Sequence, residues 1–408
     1  MPENTEELVR KALAKSTPLH RLRELDPALD ENQLARLRAR VLEARSGRSL
    51  SSVSSTALDF ERLVGRNIEN PIGGVTIPVG VVGPIVVHGS VARGEVYLPL
   101  ATTEGALVAS VNRGASATSK SGGVLVRILR DGMTRAPLFK TNSVDQSLEA
   151  RGWIEDNFVR LKGAAEETTR HGKLEAVQVF IAGSNMFVRF TFDTGDAMGM
   201  NMVTIATQRM CALIEENTHA KLVSLSGNMC TDKKPAHINS LLGRGKSVVA
   251  EARIKRDVVE KVLKTTPEEI VDVNMRKNMV GSSLSGSFAQ NAHFANVLAA
   301  SFIALGQDPA QVVECSQGST FAEVRKDELY FSVTLPTLEV GAVGGGTWLN
   351  QQKELISITG ALDAKEGLRG KWLAEVIAAG TLCGELSLLG ALSSNTLASS
   401  HAKLGRSK

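Results

Sequence analysis

Between residues 122 and 226 the apolar residues change their period along the chain, and this alternation restricts the fold more than any other feature of the sequence. GGVLVRILRDG reads as a strand with a turn, SVDQSLEARGWIEDNFVRLKGAAEETT has helical spacing, and LEAVQVFIAGSNMFVRFTFD predicts two strands joined at AGSN. MNMVTIATQRMCALIEENTHA then predicts a helix and KLVSLSG a last strand. The order is β-α-β-β-α-β.

That order is the split βαβ arrangement of ferredoxin-like domains. Neither the Gly-rich text before it nor the helical text after it closes on itself, so an inserted unit within a larger α+β domain is expected. Residues 5–47 are charged and helical in period, and SLSSVSSTAL breaks them. NPIGGVTIPVGVVGPIVVHG then suits short strands and turns. The expected division is an N-terminal helical arm (1–68), a large domain (69–120 and 227–408) and the inserted small domain (121–226). Residues 283–306 predict a central, buried helix of roughly 36 Å.

At 408 residues the chain is long enough for two or three domains, and its net charge of +4 is small and spread along the sequence. Aromatics at 4% are too scarce for base-stacking surfaces, so nucleic acid is not an expected partner. Cys211, Cys230, Cys315 and Cys383 lie far apart, which fits reduced thiols in a cytoplasmic protein. The histidines have no ligand spacing, so no metal is expected. The amino terminus lacks an apolar core, and the most apolar stretches are interrupted by Gln290, Asn291, His293 and Asn296, or by Glu385, so no membrane association is expected either.

Several short segments hold residues of chemical interest. DTGDAMGMNM ends at a predicted helix start, where free N–H groups and Gly199 suit a phosphate, or where Asp196 simply caps. GAVGGGT is a second Gly-rich loop without the Rossmann spacing. In ATTEGALVAS, Glu104 opens a helix-like run that Thr102 or Thr103 could cap. Asp308 in LGQDP and His401 in SSHAKLGRS are ordinary alone, and SGNMCTDKKP sets Asp232, Lys233 and Lys234 at a junction between expected domains.

Together these segments, with ENPIGGVTIPVGVVGP, VNRG, GMTRAP, GRGKSVVAEA, NAHFAN and LEVGAVGGGT, closely resemble the hydroxymethylglutaryl-CoA (HMG-CoA) reductase family over almost the whole chain. DKKP and TTEGALVAS resemble its class I branch, and the start near the catalytic part resembles the soluble archaeal type. The resemblance implies an oxidoreductase of the mevalonate pathway of isoprenoid biosynthesis. It would reduce (S)-HMG-CoA with two NADPH to (R)-mevalonate and free CoA.

The same resemblance implies roles. Lys233 would stabilise the carbonyl oxygen, Glu104 would supply the proton, Asp308 would tune both, and His401 on a C-terminal flap would protonate the leaving thiolate. Glu104 is expected to be held near neutral pKa by burial and neighbours. Arg135, Ser226, Asp232, Lys234, Lys277, His293 and Asn296 would hold the substrate, with Glu69, Asn70, Ser110, Asn112 and Arg113 along CoA. NADPH would lie on Asp196, Met198, Gly199, Asn201 and the loop Gly344, Gly345, Gly346 and Thr347, with Thr169 and Arg170 at its 2'-phosphate. Family members build each site across a homodimer, in some a tetramer, and carry a cis peptide that would fall at Cys230–Thr231.

Overall fold

The computed structural model describes residues 5–394, in two compact units, Met1–Pro78 and Val79–Lys408. In the first, α1 (Thr5–Ala14), a 3-10 turn (Leu19–Leu25) and α2 (Glu31–Ser46) enclose Leu8, Val9, Leu22, Leu34, Leu37 and Val41. Asp30 and Gln33 form a reciprocal cap at the start of α2, and Gly47 at φ 65° ends it.

The second unit opens with a hairpin of β1 (Val79–His88) and β2 (Arg93–Ala101), then α3 (Leu107–Lys120) and the long strand β3 (Val124–Arg135). The middle of the unit contains β4 (Leu138–Lys140), α4 (Val144–Asp156), α5 (Phe158–Glu166), β5 (Lys173–Ala182), β6 (Asn185–Asp193), α6 (Met200–Asn217) and β7 (Lys221–Ser224). The remainder is built on α7 (His237–Leu242), β8 (Arg244–Lys255), α8 (Phe294–Ala304), α9 (Val312–Cys315), β9 (Ser319–Arg325), β10 (Glu328–Leu338) and α10 (Arg369–Ser393).

These strands form one ten-stranded mixed sheet. One edge of β6 takes the end of β3 and then β4, its other edge takes β5, and β4 carries β7, all antiparallel. Met186, Val188, Phe190 and Phe192 of β6 pack with Ile154, Leu161, Val203, Met210 and Ile214 from the helices, the amphipathic match that the changing period foretold. The strand expected in GGVLVRILRDG is β3, preceded by a turn at Ser121–Gly122 and continued through Asp131, opposite Lys246, and Gly132, opposite Gly245 of β8. The single helix expected over 143–169 is two helices separated at Asn157.

The expected central helix over 283–306 is not one helix. Gly286 at φ 68° ends a short turn, and Gln290 pairs by its backbone with Gly318 and Thr320, so α8 begins only at Phe294. Local apolar content favoured helix there, but backbone partners in the neighbouring strand won. The buried central helix is α10, of 25 residues. It is the one described helix long and apolar enough to cross a membrane, and 83% of that apolar window is buried inside this fold. α3 crosses it so closely that a Cβ on Gly114 would lie 1.9 Å from the Cys383 carbonyl oxygen. Two carboxylates of α10 replace missing backbone partners: Glu375 accepts the N–H groups of Ser90, Val91 and Ala92, and Glu385 those of Ala292 and His293.

Candidate active site

The segment 226–235 leaves β7 as two consecutive turns, closed by Thr231 N–H to Asn228 O (3.0 Å) and Lys234 N–H to Thr231 O (2.9 Å). Asn228, Thr231 and Lys233 all adopt left-handed backbone, at φ 65°, 60° and 61°. Each such non-glycine residue costs roughly 1–2 kcal/mol, so the surroundings must hold the loop. The cis peptide expected at Cys230–Thr231 is not there; among the described residues the cis bond is Gly83–Pro84.

Beneath the loop lies a buried charge cluster. Arg244, at the start of β8, is fully buried and donates from Nη1 to Glu314 (2.7 Å), Gln311 (3.2 Å) and Glu339 (3.3 Å). Its Nη2 donates to Asp232 Oδ1 (3.1 Å) and to Met200 Sδ (2.9 Å). Burial works against this cation, but the three surrounding carboxylates hold its pKa above the ordinary value. Burial would raise Asp232 as well, yet Arg244, a hydrogen bond from Gln311, Arg135 and Lys233 leave it below the usual range. Glu339 goes the other way. Burial, opposed by Arg244 and reinforced by the Glu314 charge, pushes it up to about 8. Its Oε2 accepts from Cys315 Sγ at 2.9 Å. Arg244, Gln311, Glu314 and Glu339 were not among the residues singled out from sequence. Glu339 is the one charge in the otherwise uncharged LEVGAVGGGT, a signal that could have found it, whereas Arg244 stands beside Lys246 and Glu251 in GRGKSVVAEA and nothing local marks it.

The loop presents its cations outward. Lys233 Nζ lies 3.0 Å from Asp308 Oδ2, with both side chains partly exposed, while Asp308 Oδ1 accepts from Ala310 N–H and starts the 3-10 turn Pro309–Gln311. Lys234 Nζ returns to Asp232 O (2.9 Å), Arg135 Nη1 reaches Asp232 Oδ2 (3.4 Å), and Ser226 Oγ stands 3.4 Å from Cys230 Sγ.

A second group forms at the other end of α8. Asn296, in its first turn, donates to Glu104 Oε1 (3.2 Å) and stands 3.5 Å from His293 Nδ1; His293 Nε2 is buried with no hydrogen-bond partner. Glu104 is exposed in the single chain rather than buried as expected. Thr102 accepts from Glu104 N–H (2.9 Å) and shapes the turn, and α3 begins further on with no side-chain cap. Lys277 is exposed on the wide-turned helical segment Asn274–Gly281. From Asn296 to the end of α8 is roughly 12 Å, and Asp308 follows beyond that end. Among the described residues, no hydrogen bond or ion pair links the Glu104 group to the Lys233–Asp308 pair.

Of the residues expected around NADPH, those of 196–199 lie against the 341–347 loop. Gly199 (φ 88°) precedes α6 with no side-chain cap, leaving the first N–H groups of a long helix free for a phosphate. Gly341 fits so tightly that a Cβ there would meet Met198 N at 2.4 Å, and Ala197 bridges Val343. Gly344 and Gly345 take left-handed backbone, Gly346 packs on Gly306, and Thr347 Oγ1 donates to Gly344 O (2.7 Å). Asn201 is exposed in the first turn of α6. Asp196 does not cap α6. Its carboxylate accepts Gly367 N–H (2.7 Å) and Gly370 N–H (3.1 Å) and so anchors the start of α10. Thr169 accepts from His171 and Gly172 N–H, and Arg170 is exposed beside it.

Of the residues expected along CoA, Ser110 and Arg113 bind Ser387 of α10, and Asn112 accepts Gly83 N–H (2.9 Å). Burial holds the Arg113 pKa below its ordinary value. Glu69 and Asn70 are exposed in the first unit, and His401 lies outside the described residues.

A loop carrying Lys233 and Lys234, a carboxylate–amide–imidazole group and a glycine-lined helix start suit a nucleotide-dependent reductase. A sequence model of the hydroxymethylglutaryl-coenzyme A reductase family matches residues 35–406, and the chain belongs to that family. The 3-hydroxy-3-methylglutaryl-coenzyme A reductase of Aeropyrum pernix is 54% identical, with 99% of this chain and 97% of that protein aligned. The protein of the same name from Pyrococcus abyssi is 48% identical over 99% of this chain and all of that one. In fold, the chain is similar to a class II 3-hydroxy-3-methylglutaryl-CoA reductase from Streptococcus pneumoniae, solved bound to NADPH. The TM-score is 0.65 at 19% identity, covering 87% of this chain and 96% of the other.

Proposed function

We infer that the chain reduces 3-hydroxy-3-methylglutaryl-CoA to mevalonate and free CoA with NADPH, in the mevalonate pathway. The observation that carries the reading is Lys233 held against Asp308 on a loop anchored from below by buried charges. A thioester carbonyl gains negative charge at oxygen as it is reduced, and a fixed ammonium beside that oxygen stabilises the change. NADPH, when bound, supplies the reducing equivalents. Its phosphates fit the open start of α6 and the 341–347 loop, with Thr169 and Arg170 at the 2'-phosphate, where a guanidinium fork suits that group.

Within this reading Glu104 delivers the proton to the carbonyl oxygen, and Asn296 orients it. Arg135, Lys234 and Lys277 supply charge for the substrate carboxylate, Ser226 and Asp232 line the same loop, and His293 Nε2 is a buried polar atom free to meet the substrate. Ser110, Asn112 and Arg113 serve the CoA side, and His401 protonates the departing thiolate. That no hydrogen bond or ion pair links the Glu104 group to the Lys233–Asp308 pair among the described residues supports a homo-oligomer in which one copy brings Lys233 and Asp308 to the Glu104 of another.

The finer assignments follow the same logic. The class I branch is favoured by DKKP and TTEGALVAS. A ferredoxin-like insertion is favoured by the order β7, β3–β4, β6, β5 with helices packed on the sheet. A cytoplasmic setting agrees with four free, buried thiols. The test is NADPH oxidation by purified protein with 3-hydroxy-3-methylglutaryl-CoA, counting cofactor consumed per CoA released. Two per CoA is the expected ratio; one, or activity only with a shorter acyl-CoA, would reject the reading.

A further inference from the structure

We propose that Glu314 is a positioning residue that fixes the backbone of Lys233 and thereby aims its ammonium; the proposal rests on the reading of Lys233 as the oxyanion partner. Glu314 is fully buried on α9, and its carboxylate receives four donors. Oε1 accepts from Arg244 Nη1 at 2.7 Å and from the Lys233 backbone N–H. Oε2 accepts from Thr231 Oγ1 at 3.1 Å and from Asn239 Nδ2 at 3.3 Å, where Asn239 belongs to the helix that follows the loop. Glu314 therefore grips the loop on both sides of Asp232, at the two residues nearest the lysine that hold left-handed backbone. A β-branched threonine in that region is a conformational outlier and persists only where its surroundings determine it.

The placement along the chain sharpens the point. Asp308, which takes the ammonium of Lys233, and Glu314, which takes its backbone N–H, stand on one continuous segment, 308–315. Both ends of the lysine are thus referred to the same rigid piece, and Arg244 ties that piece to Asp232 between the two grips. A charged acceptor suits this position because the Arg244 guanidinium, the Lys233 N–H and the Asn239 amide nitrogen facing it can only donate, while the Thr231 hydroxyl, also within reach of Cys230 O and Asn239 Oδ1, can donate or accept. An amide at this position would point a donor at one pair of them. Glu314 is fully buried beneath the loop, so its contribution passes through the geometry of Lys233.

The test is a double-mutant cycle with Glu314→Gln and Lys233→Ala, measuring kcat and KM with circular dichroism as the folding control. Glu314→Gln is expected to lower kcat roughly 30- to 100-fold with KM for NADPH changed less than twofold, and to add less than twofold when Lys233 is already alanine. An equal loss in both backgrounds, or near-native turnover in Glu314→Gln while Lys233→Ala is inactive, would overturn the clamp. Near-native turnover in Lys233→Ala would instead remove the underlying reading, a distinguishable failure. Should Glu314→Gln not fold, Thr231→Val removes the hydroxyl that reaches Glu314, Asn239 and the Cys230 carbonyl and leaves the buried charges paired. It is expected to lower kcat about tenfold only where Lys233 is present, and no loss there would equally overturn the proposal.

Discussion

Lys233 Nζ lies 3.0 Å from Asp308 Oδ2 although Lys233 itself occupies left-handed backbone, so the pair joins a strained loop to the capping residue of a helical turn. Both side chains are partly exposed, which keeps the contribution of this ion pair to stability small. Its significance is directional. Lys233→Ala is therefore expected to leave the fold intact while reducing kcat by 10²- to 10³-fold, about 3–4 kcal/mol, the loss typical of a missing oxyanion donor. Steady-state turnover with circular dichroism as a control checks it; near-wild-type turnover would refute the role.

Glu339 offers a test by pH. Its pKa stands near 8 in the folded protein, above an unfolded value of 4.5, because burial and the Glu314 charge outweigh Arg244. The folded state thus holds a proton that the unfolded state releases. The stability this represents is fully present below 4.5 and is lost as pH rises through about 8. Over that window the wild type is expected to lose up to about 1.4 kcal/mol per pH unit relative to Glu339→Gln, which cannot ionise. Melting temperatures of both proteins from pH 5 to 9 give the answer. Parallel profiles would mean that Glu339 is ionised throughout.

These two groups show which parts of the molecule a sequence can reveal. The strands and helices between β3 and β7 were legible because β6 and its helices each present one apolar face, and a face imposes a period that can be read locally. Lys233, Asp308 and Glu104 stand far apart in sequence and have no local signature, so they were reached only through resemblance. Arg244, Glu314 and Glu339 were missed because a buried charge is defined by its partners: each is unremarkable until the others surround it. The exchange of roles between 283–306 and 369–393 has the same origin. Both are apolar, and only the backbone demands of Gly318 and Thr320 decide which can remain helical.

Asp196 was expected to touch the cofactor and is found binding Gly367 and Gly370 N–H at the start of α10. A carboxylate there satisfies two orphan donors and faces the positive end of the helix dipole. Asp196→Ala is expected to lower unfolding stability by about 1–2 kcal/mol. Chemical denaturation measures this. Unchanged stability with a raised KM for NADPH would return Asp196 to the cofactor.

Gly341 has no room for a side chain, since the atoms a Cβ would meet are backbone atoms of Asp196, Ala197 and Met198, the nearest at 2.4 Å. Backbone cannot rotate away as a side chain can. Gly341→Ala should displace the 341–347 loop from the start of α6 and lower kcat/KM for NADPH roughly 10- to 100-fold, a range that fits a displacement of about 1 Å. Initial rates at varied NADPH decide it, and an unchanged value would separate this loop from the cofactor.

The lack of any hydrogen bond or ion pair between the Glu104 group and the Lys233–Asp308 pair among the described residues leads to the most demanding prediction. If each reacting carbonyl needs both residues and a single copy holds them apart, then a working site combines Glu104 of one copy with Lys233 of another. Lys233→Ala and Glu104→Gln should each be inactive alone. Mixed under conditions that exchange subunits, random pairing makes half the dimers hybrid, and each hybrid has one site with both residues intact and one with neither. Activity should therefore return to about a quarter of the wild-type value per subunit. If Glu104 and Lys233 acted within one copy, every site in the mixture would lack one of them and no activity would return.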